Sequence, residues 1–338
     1  MRPLTPRRVA LICAALGGVL FIAVVISLRM GAYPISIPEI VMTLVNRFIG
    51  RRNEIPPDFW NVVYEIRLPR IALGILVGAA LSTAGAGFQA LLRNPLADPY
   101  VLGVSSGAAL GAIISLAVAP QTPGLIQIAA FAGAAGTIAA VYFLGRRGGQ
   151  VDSATLLLAG IVAVSFLSAV IMFLMTTLPG HEFRGMAFWL MGDLATQPAI
   201  SSRWLYLLLI IGVGSIYTTS SDLNLILTGE QEARHLGVNV NRVKLVVYVA
   251  ASLLTGLAVS VSGAIGYVGL LVPHLMRMMF GSDYRLLIPA SALGGAILIV
   301  VADLLARVVV APTELPVGAM TALVGAPVFI YLMRRSVR

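Results

Sequence analysis

Long uncharged apolar runs restrict the fold of this chain more than any other feature of its sequence. Val9–Leu28 is one of them. At about 1.5 Å per residue in a helix it is long enough to cross a hydrocarbon core roughly 30 Å thick. Ten such spans can be placed, at about 9–30, 68–92, 99–118, 124–144, 153–177, 202–219, 244–262, 267–281, 286–309 and 316–333. The runs are continuous rather than alternating over short strands, which excludes a closed β-barrel. Helices are then the remaining way to satisfy so much backbone in lipid. A mean hydropathy of +0.95, with 59% hydrophobic and 11% charged residues, excludes a soluble globular domain. The expected fold is an all-α integral membrane protein of about ten transmembrane helices, forming one domain over residues 1–338.

The start, MRPLTPRRVALICAALGG, has the basic n-region of a signal peptide but no convincing small-residue cleavage site. Ile12 before Cys13 argues against lipoprotein cleavage, so the segment reads as an uncleaved first helix. With the amino terminus inside, 14 of the 23 basic residues fall on the cytoplasmic side. Both termini then come out cytoplasmic. The charge of +9 suits an inner-membrane protein of bacterial or archaeal type, and its dispersal among spans argues against a nucleic-acid partner. Lipid is the expected surrounding. Two external segments, about 31–66 and 178–201, carry structure of their own. Ser36–Asn46 reads as a short helix start, with Ser36 as N-cap and Glu39 in the first turn. His181–Thr196 carries aromatic anchors suited to an interface. A weak repeat at an offset of 178 matches Ser82, Gly85, Ala86, Leu92 and Pro95 to Ser260, Gly263, Ala264, Leu270 and Pro273, in the pattern of inverted-topology repeats. Gly74, Gly78, Gly85 and Gly87 permit close helix approach in the second span.

Several chemistries are missing. Lys244 is the one lysine and Val243 precedes it, so no phosphate-binding P-loop is possible. His181, His235 and His274 stand apart, without metal-ligand spacing, and one cysteine supports neither a disulfide nor a thiolate metal site. No metal, cofactor or catalytic residue is expected. Asp303 is a carboxylate well inside a span, with Arg307 one turn on. It reads either as an i,i+4 ion pair or as the proton carrier of a secondary transporter. Leu223–Lys244, around the connector at about 221–243, is a polar island with Glu230, Glu232, Arg234, Arg242 and Lys244, and its helical spacing suggests a docking element.

Four stretches are recognisable: RLPRIALGILVGAALSTAGAGFQALLRNPLADPYVLGVSSGAALGA (67–112), GEQEARHLGVNV (229–240), SGAIGYVGLLVPHLMR (262–277) and LLARVVVAPTELPVGAMTALVGAPVFIYLM (304–333). Together they resemble the FecCD family of type II ATP-binding-cassette importer permeases, in register from about residue 60 to the carboxyl terminus. The resemblance implies an inverted-repeat, ten-helix subunit that homodimerises around a translocation path. It also implies two ATPase subunits, which hold the ATP and Mg, and an external or lipid-anchored substrate-binding protein. The cargo it implies is a metal chelate: a ferric siderophore first, on the breadth of the family, then vitamin B12 or haem. It assigns ATPase coupling to Gly229, Glu230, Glu232, Ala233, Arg234, His235, Leu236 and Gly237. Arg67, Arg70 and Arg307 become binding-protein docking residues. Asn94, Pro95 and Leu96, with Ser153 and Ala154, become the cytoplasmic gate, Ala154 departing from the hydroxyl residue of the vitamin B12 member.

Overall fold

The computed structural model describes residues 4–31, 33–49, 56–119, 121–147, 150–151, 153–177, 180–195, 202–311 and 313–336. Among the basic residues weighed for orientation, Arg2, Arg51, Arg52 and Arg338 lie outside these, as do the side chains of Arg47, Arg147, Arg184 and Arg335, and those of His181 and the expected gate residue Ser153. The described chain is helical apart from one short hairpin, β1 (Arg146–Arg147) paired antiparallel with β2 (Gln150–Val151). Each expected span has its helix. They are α1 (Pro6–Arg29), α4 (Leu68–Leu91), α5 (Val104–Val118), α6 (Leu125–Leu144), α7 (Ser153–Thr177), α9 (Ser202–Thr218), α12 (Val240–Ser262), α13 (Val268–Phe280), α14 (Tyr284–Val308) and α15 (Val317–Ser336). Among the described residues six helices are long and apolar enough to cross a membrane alone. A seventh crossing is a bent pair, α9 with α10 (Ser220–Thr228), turned by 44°. The helices α5, α13 and α15 are shorter.

Outside the spans, α2 (Ile37–Phe48) starts where the sequence places it. Ser36 N–H donates to Glu39 Oε2 at 2.8 Å and Glu39 N–H to Ser36 Oγ at 3.4 Å, a reciprocal cap that satisfies two orphan donors. The helix α8 (Gly180–Met191) occupies the second external segment. The second span is longer than its hydropathy indicates. Helix α3 (Pro57–Trp60) runs through a π-helical stretch, Asn61–Arg67, straight into α4. Pro69 has no N–H and would press on the carbonyl four residues back, and the turn before it is widened.

The central element is α4. It packs on α9, α12, α13 and α14, and 89% of its apolar window is buried, against 6% for α1. Small residues make that approach possible, and a Cβ at Gly85 would overlap the Gly269 carbonyl of α13. In the sequence repeat Ser82 and Ser260 both lie inside helices, α4 and α12, while the other four pairs fall on unlike backbone. Gly85 and Ala86 lie inside α4, whereas Gly263 closes α12 and Ala264 lies in the break before α13. At the break, irregular backbone is satisfied by neighbours, as it must be away from water. Asp193 N–H donates to Ser262 O at 2.8 Å, and Ile265 N–H donates to the Tyr100 hydroxyl at 2.7 Å.

Candidate functional site: two charged clusters at the ends of one helix

The functional residues expected from the sequence gather at the two ends of α4. At its amino end Asp303, on α14, is the hub. Arg70 Nε donates to Asp303 Oδ1 at 2.7 Å and Arg307 Nε to Oδ2 at 3.1 Å. The second branch of Arg70 reaches Glu314 Oε2 at 2.7 Å. Arg307 donates to the Ser27 hydroxyl of α1 at 2.6 Å, and Arg67 donates to the carbonyls of Leu28 and Tyr33. The cluster thus ties α1, α4, α14 and the segment before α15 together.

The three arginines are largely enclosed within the subunit. Arg67 and Arg70 are 4% exposed, Arg307 is 7% and Asp303 is 2%. Their carboxylate and carbonyl partners come from the chain itself. Glu314 is the member whose side chain is about half exposed. Three guanidiniums meet two carboxylates, and Arg70 Nη2 is buried without a partner. The cluster therefore retains acceptor-seeking capacity. Asp303 keeps the i,i+4 pair with Arg307 and adds Arg70 from another helix, so each of its oxygens already accepts a charge-assisted hydrogen bond.

At the carboxyl end of α4 the polar island proves to be two short helices rather than one. The break between α10 and α11 (Glu230–His235) is Gly229 at φ 153°, a backbone position that a side chain resists. Its carbonyl accepts Ala233 N–H at 3.0 Å, and Ala233 is fully buried beneath the helix. Gly237, at φ 88°, ends α11: Gly237 N–H bonds Arg234 O and Val238 N–H bonds Ala233 O, each at 3.0 Å. This geometry presents Glu232, Arg234, His235 and Leu236 outward, Leu236 with 66% of its surface exposed.

Glu230 differs from its neighbours. Its carboxylate turns back into the chain, 2.7 Å from the nearly buried Lys244 Nζ of α12 and 3.7 Å from Arg93 Nη2. Arg93 also donates to Ile226 O of α10 at 2.8 Å. A third tie runs from α10 to the start of α14, where Asn224 donates to Asp283 at 2.8 Å and accepts Tyr284 N–H at 2.9 Å. The Arg285 guanidinium, hydrogen-bonded to Asp283, holds that carboxyl down to about 2.

The expected gate residues follow Arg93 directly. Asn94 Oδ1 accepts Leu96 N–H at 2.9 Å, and Asn94 O accepts Ala97 N–H at 3.0 Å, so Asn94 folds the turn onto itself. Pro95 and Leu96 are exposed. Ala154 is exposed at the start of α7, which packs on the short helical turn Pro99–Leu102 after the gate residues. Sequence reasoning missed Arg93, Lys244 as a partner for Glu230, and Glu314. Only Arg93 carried a signal, its place immediately before Asn94-Pro95-Leu96.

The comparisons with known proteins bear on this geometry. The model of the FecCD transport family matches residues 19–335. A cobalamin import system permease from Halobacterium salinarum is 43% identical over 290 residues, 84% of this chain and 76% of that one. A hemin transport system permease from Yersinia pestis is 38% identical over 333 residues, 95% of each chain. Among solved structures, an inward-facing putative metal-chelate type ABC transporter superposes with a TM-score of 0.82 at 30% identity, covering 96% of this chain and 99% of that one.

Proposed function

The chain belongs to the FecCD transport family, as a multi-pass permease subunit of an ATP-binding-cassette importer, and from that premise we propose what it carries and how its two charged clusters serve transport. The subunit performs no substrate chemistry, and ATP and Mg are bound by a separate ATPase. The cargo is a metal chelate, with ferric siderophores placed first and vitamin B12 and haem next. Two copies form the path, each with an ATPase below it, both termini lie in the cytoplasm, and residues 1–338 act as one permease domain.

The observation that carries the reading is α11: a short helix set off by Gly229 and Gly237 that offers Glu232, Arg234, His235 and Leu236 outward, while Glu230 at its start faces Arg93, the residue before Asn94–Leu96. A membrane protein without a phosphate loop needs such an element to receive the work of an ATPase. Docking of the binding protein falls to Arg67, Arg70 and Arg307. The unpartnered Arg70 Nη2 and the half-exposed Glu314 support this, because an incoming carboxylate can exchange with Glu314 at a bidentate guanidinium. The gate is Asn94, Pro95, Leu96, Ser153 and Ala154.

The test is uptake into proteoliposomes holding the permease, its ATPase and its binding protein, with ferric hydroxamate, haemin and cyanocobalamin offered in turn. ATP-dependent accumulation of one chelate, absent without the ATPase, is expected. Accumulation driven by a proton gradient with no ATPase present would overturn the reading in favour of a secondary transporter.

A further inference from the structure

Arg93 is the residue that the coupling and gating assignments leave unexplained. It follows the last turn of α4 and takes φ 49°, a left-handed conformation that a non-glycine residue adopts at a cost. In return its side chain reaches sideways. One nitrogen, Nη2, donates to the Ile226 carbonyl in the last turn of α10 and faces the Glu230 carboxylate in the first turn of α11. Ile226 and Glu230 lie on either side of the Gly229 break, so the guanidinium spans the corner between the two short helices. Glu230 is held from behind by Lys244, rooted in α12.

We infer that Arg93 is a positioning residue that carries movement of the α10–α11 corner into the Asn94–Leu96 turn, with Glu230 as its hold on α11. The inference rests on the importer reading and deepens it. The backbone supports it on the gate side as well. Asn94 N–H bonds Gln89 O at 3.2 Å, and Asn94 closes on Leu96 and Ala97. The turn is therefore a hydrogen-bonded unit that shifts with the residue before it. On the other side, Arg93 and Glu230 have partly exposed side chains, 41% and 29%. A pair of that kind contributes little to stability and can lengthen or re-form as the corner moves. Glu230 is thereby removed from the set of residues that touch the ATPase, while Glu232, Arg234, His235 and Leu236 remain in it.

The experiment uses the complete importer in proteoliposomes, loaded with whichever of ferric hydroxamate, haemin or cyanocobalamin its binding protein retains. The variants are Arg93→Gln, Arg93→Gly, which keeps the left-handed backbone relaxed without the side chain, Arg93→Lys and Glu230→Gln. Each is combined with Leu96→Cys in a Cys13→Ser background, so that a charged maleimide reports gate exposure with and without nucleotide. Co-purification of the ATPase and its hydrolysis rate should stay within about twofold of the parent, because an exposed pair adds little binding energy. Chelate transported per ATP should fall by about tenfold in Arg93→Gln and Arg93→Gly, a typical size for a lost coupling between sites. The nucleotide-dependent difference at Leu96→Cys should vanish with it, and Arg93→Lys should restore part of both.

Parental transport per ATP in Arg93→Gly overturns the inference. So does loss of the ATPase from Glu230→Gln, which would make Glu230 a contact residue. A parent permease that retains no ATPase would bring down the importer reading itself, a result seen before any Arg93 or Glu230 variant is made.

Discussion

The two ends of α4 use the same chemistry to opposite effect. At the amino end, Arg70 and Arg307 meet Asp303 in a buried setting that joins three helices; Asp303 is 2% exposed. At the carboxyl end the pairing of Arg93 with Glu230 is half open, longer, and made across a corner between two short helices. Burial decides what each cluster can do. An ion pair in a low dielectric resists being broken because either partner alone is a buried charge. A hydrated pair exchanges partners at little cost. The amino end is therefore built as a fixed frame and the carboxyl end as a joint, with the buried body of α4 as the rigid piece between them.

The comparison can be broken most severely at Asp303. Asp303→Asn leaves Arg70 and Arg307 without their shared carboxylate and should cost about 3–5 kcal/mol. Thermal unfolding in detergent would register it, and an unchanged midpoint would mean that the frame is held by something else. Next comes the body of the helix. Gly85→Ala forces a side chain into the Gly269 carbonyl and should cost roughly 1–3 kcal/mol as an overpacking change. If its unfolding midpoint matched the parent, α4 and α13 would not be in the close contact described. Arg93→Gln, at the joint, should move the midpoint by less than about 1 kcal/mol, the ordinary worth of an exposed pair. A loss as large as that of Asp303→Asn would make the two ends alike.

A pH-dependent effect belongs to Asp283, which caps α14 and fastens α10. Its folded value of about 2 lies below the roughly 3.9 of an unfolded aspartate, so its contribution is complete above that value and lost as pH falls toward 2. The difference in midpoint between parent and Asp283→Asn should be constant near neutrality and shrink below about pH 4. A difference that persisted there would deny the ion-paired state.

Much of this was legible in the sequence because hydropathy and local turn chemistry are local properties. The ten spans, the Ser36–Glu39 cap and the Asp303–Arg307 spacing could all be read without knowing which helices meet. The partners could not. Arg70 finds Glu314 across 244 positions, and Arg93 finds Ile226 across 133. Nothing in a single sequence records such pairings. For the same reason the burial of Arg67 and Arg70, whose partners lie on other elements, could not be read. Hydropathy marks the connector but not its division into α10 and α11, which falls at a single glycine, Gly229.

The central claim is that the amino end of α4 stays fixed while the joint at its carboxyl end moves. Distances between spin labels in the reconstituted importer test it directly, with all labels in a Cys13→Ser background. One label pair would sit at Val309→Cys, exposed beyond α14 at the frame, and the other at Leu236→Cys, exposed at the end of α11. Addition of ATP and Mg should shift the Leu236 distance between the two copies and leave the Val309 distance distribution unchanged. A Val309 shift as large as that at Leu236, or a Leu236 distance indifferent to nucleotide, would contradict the account.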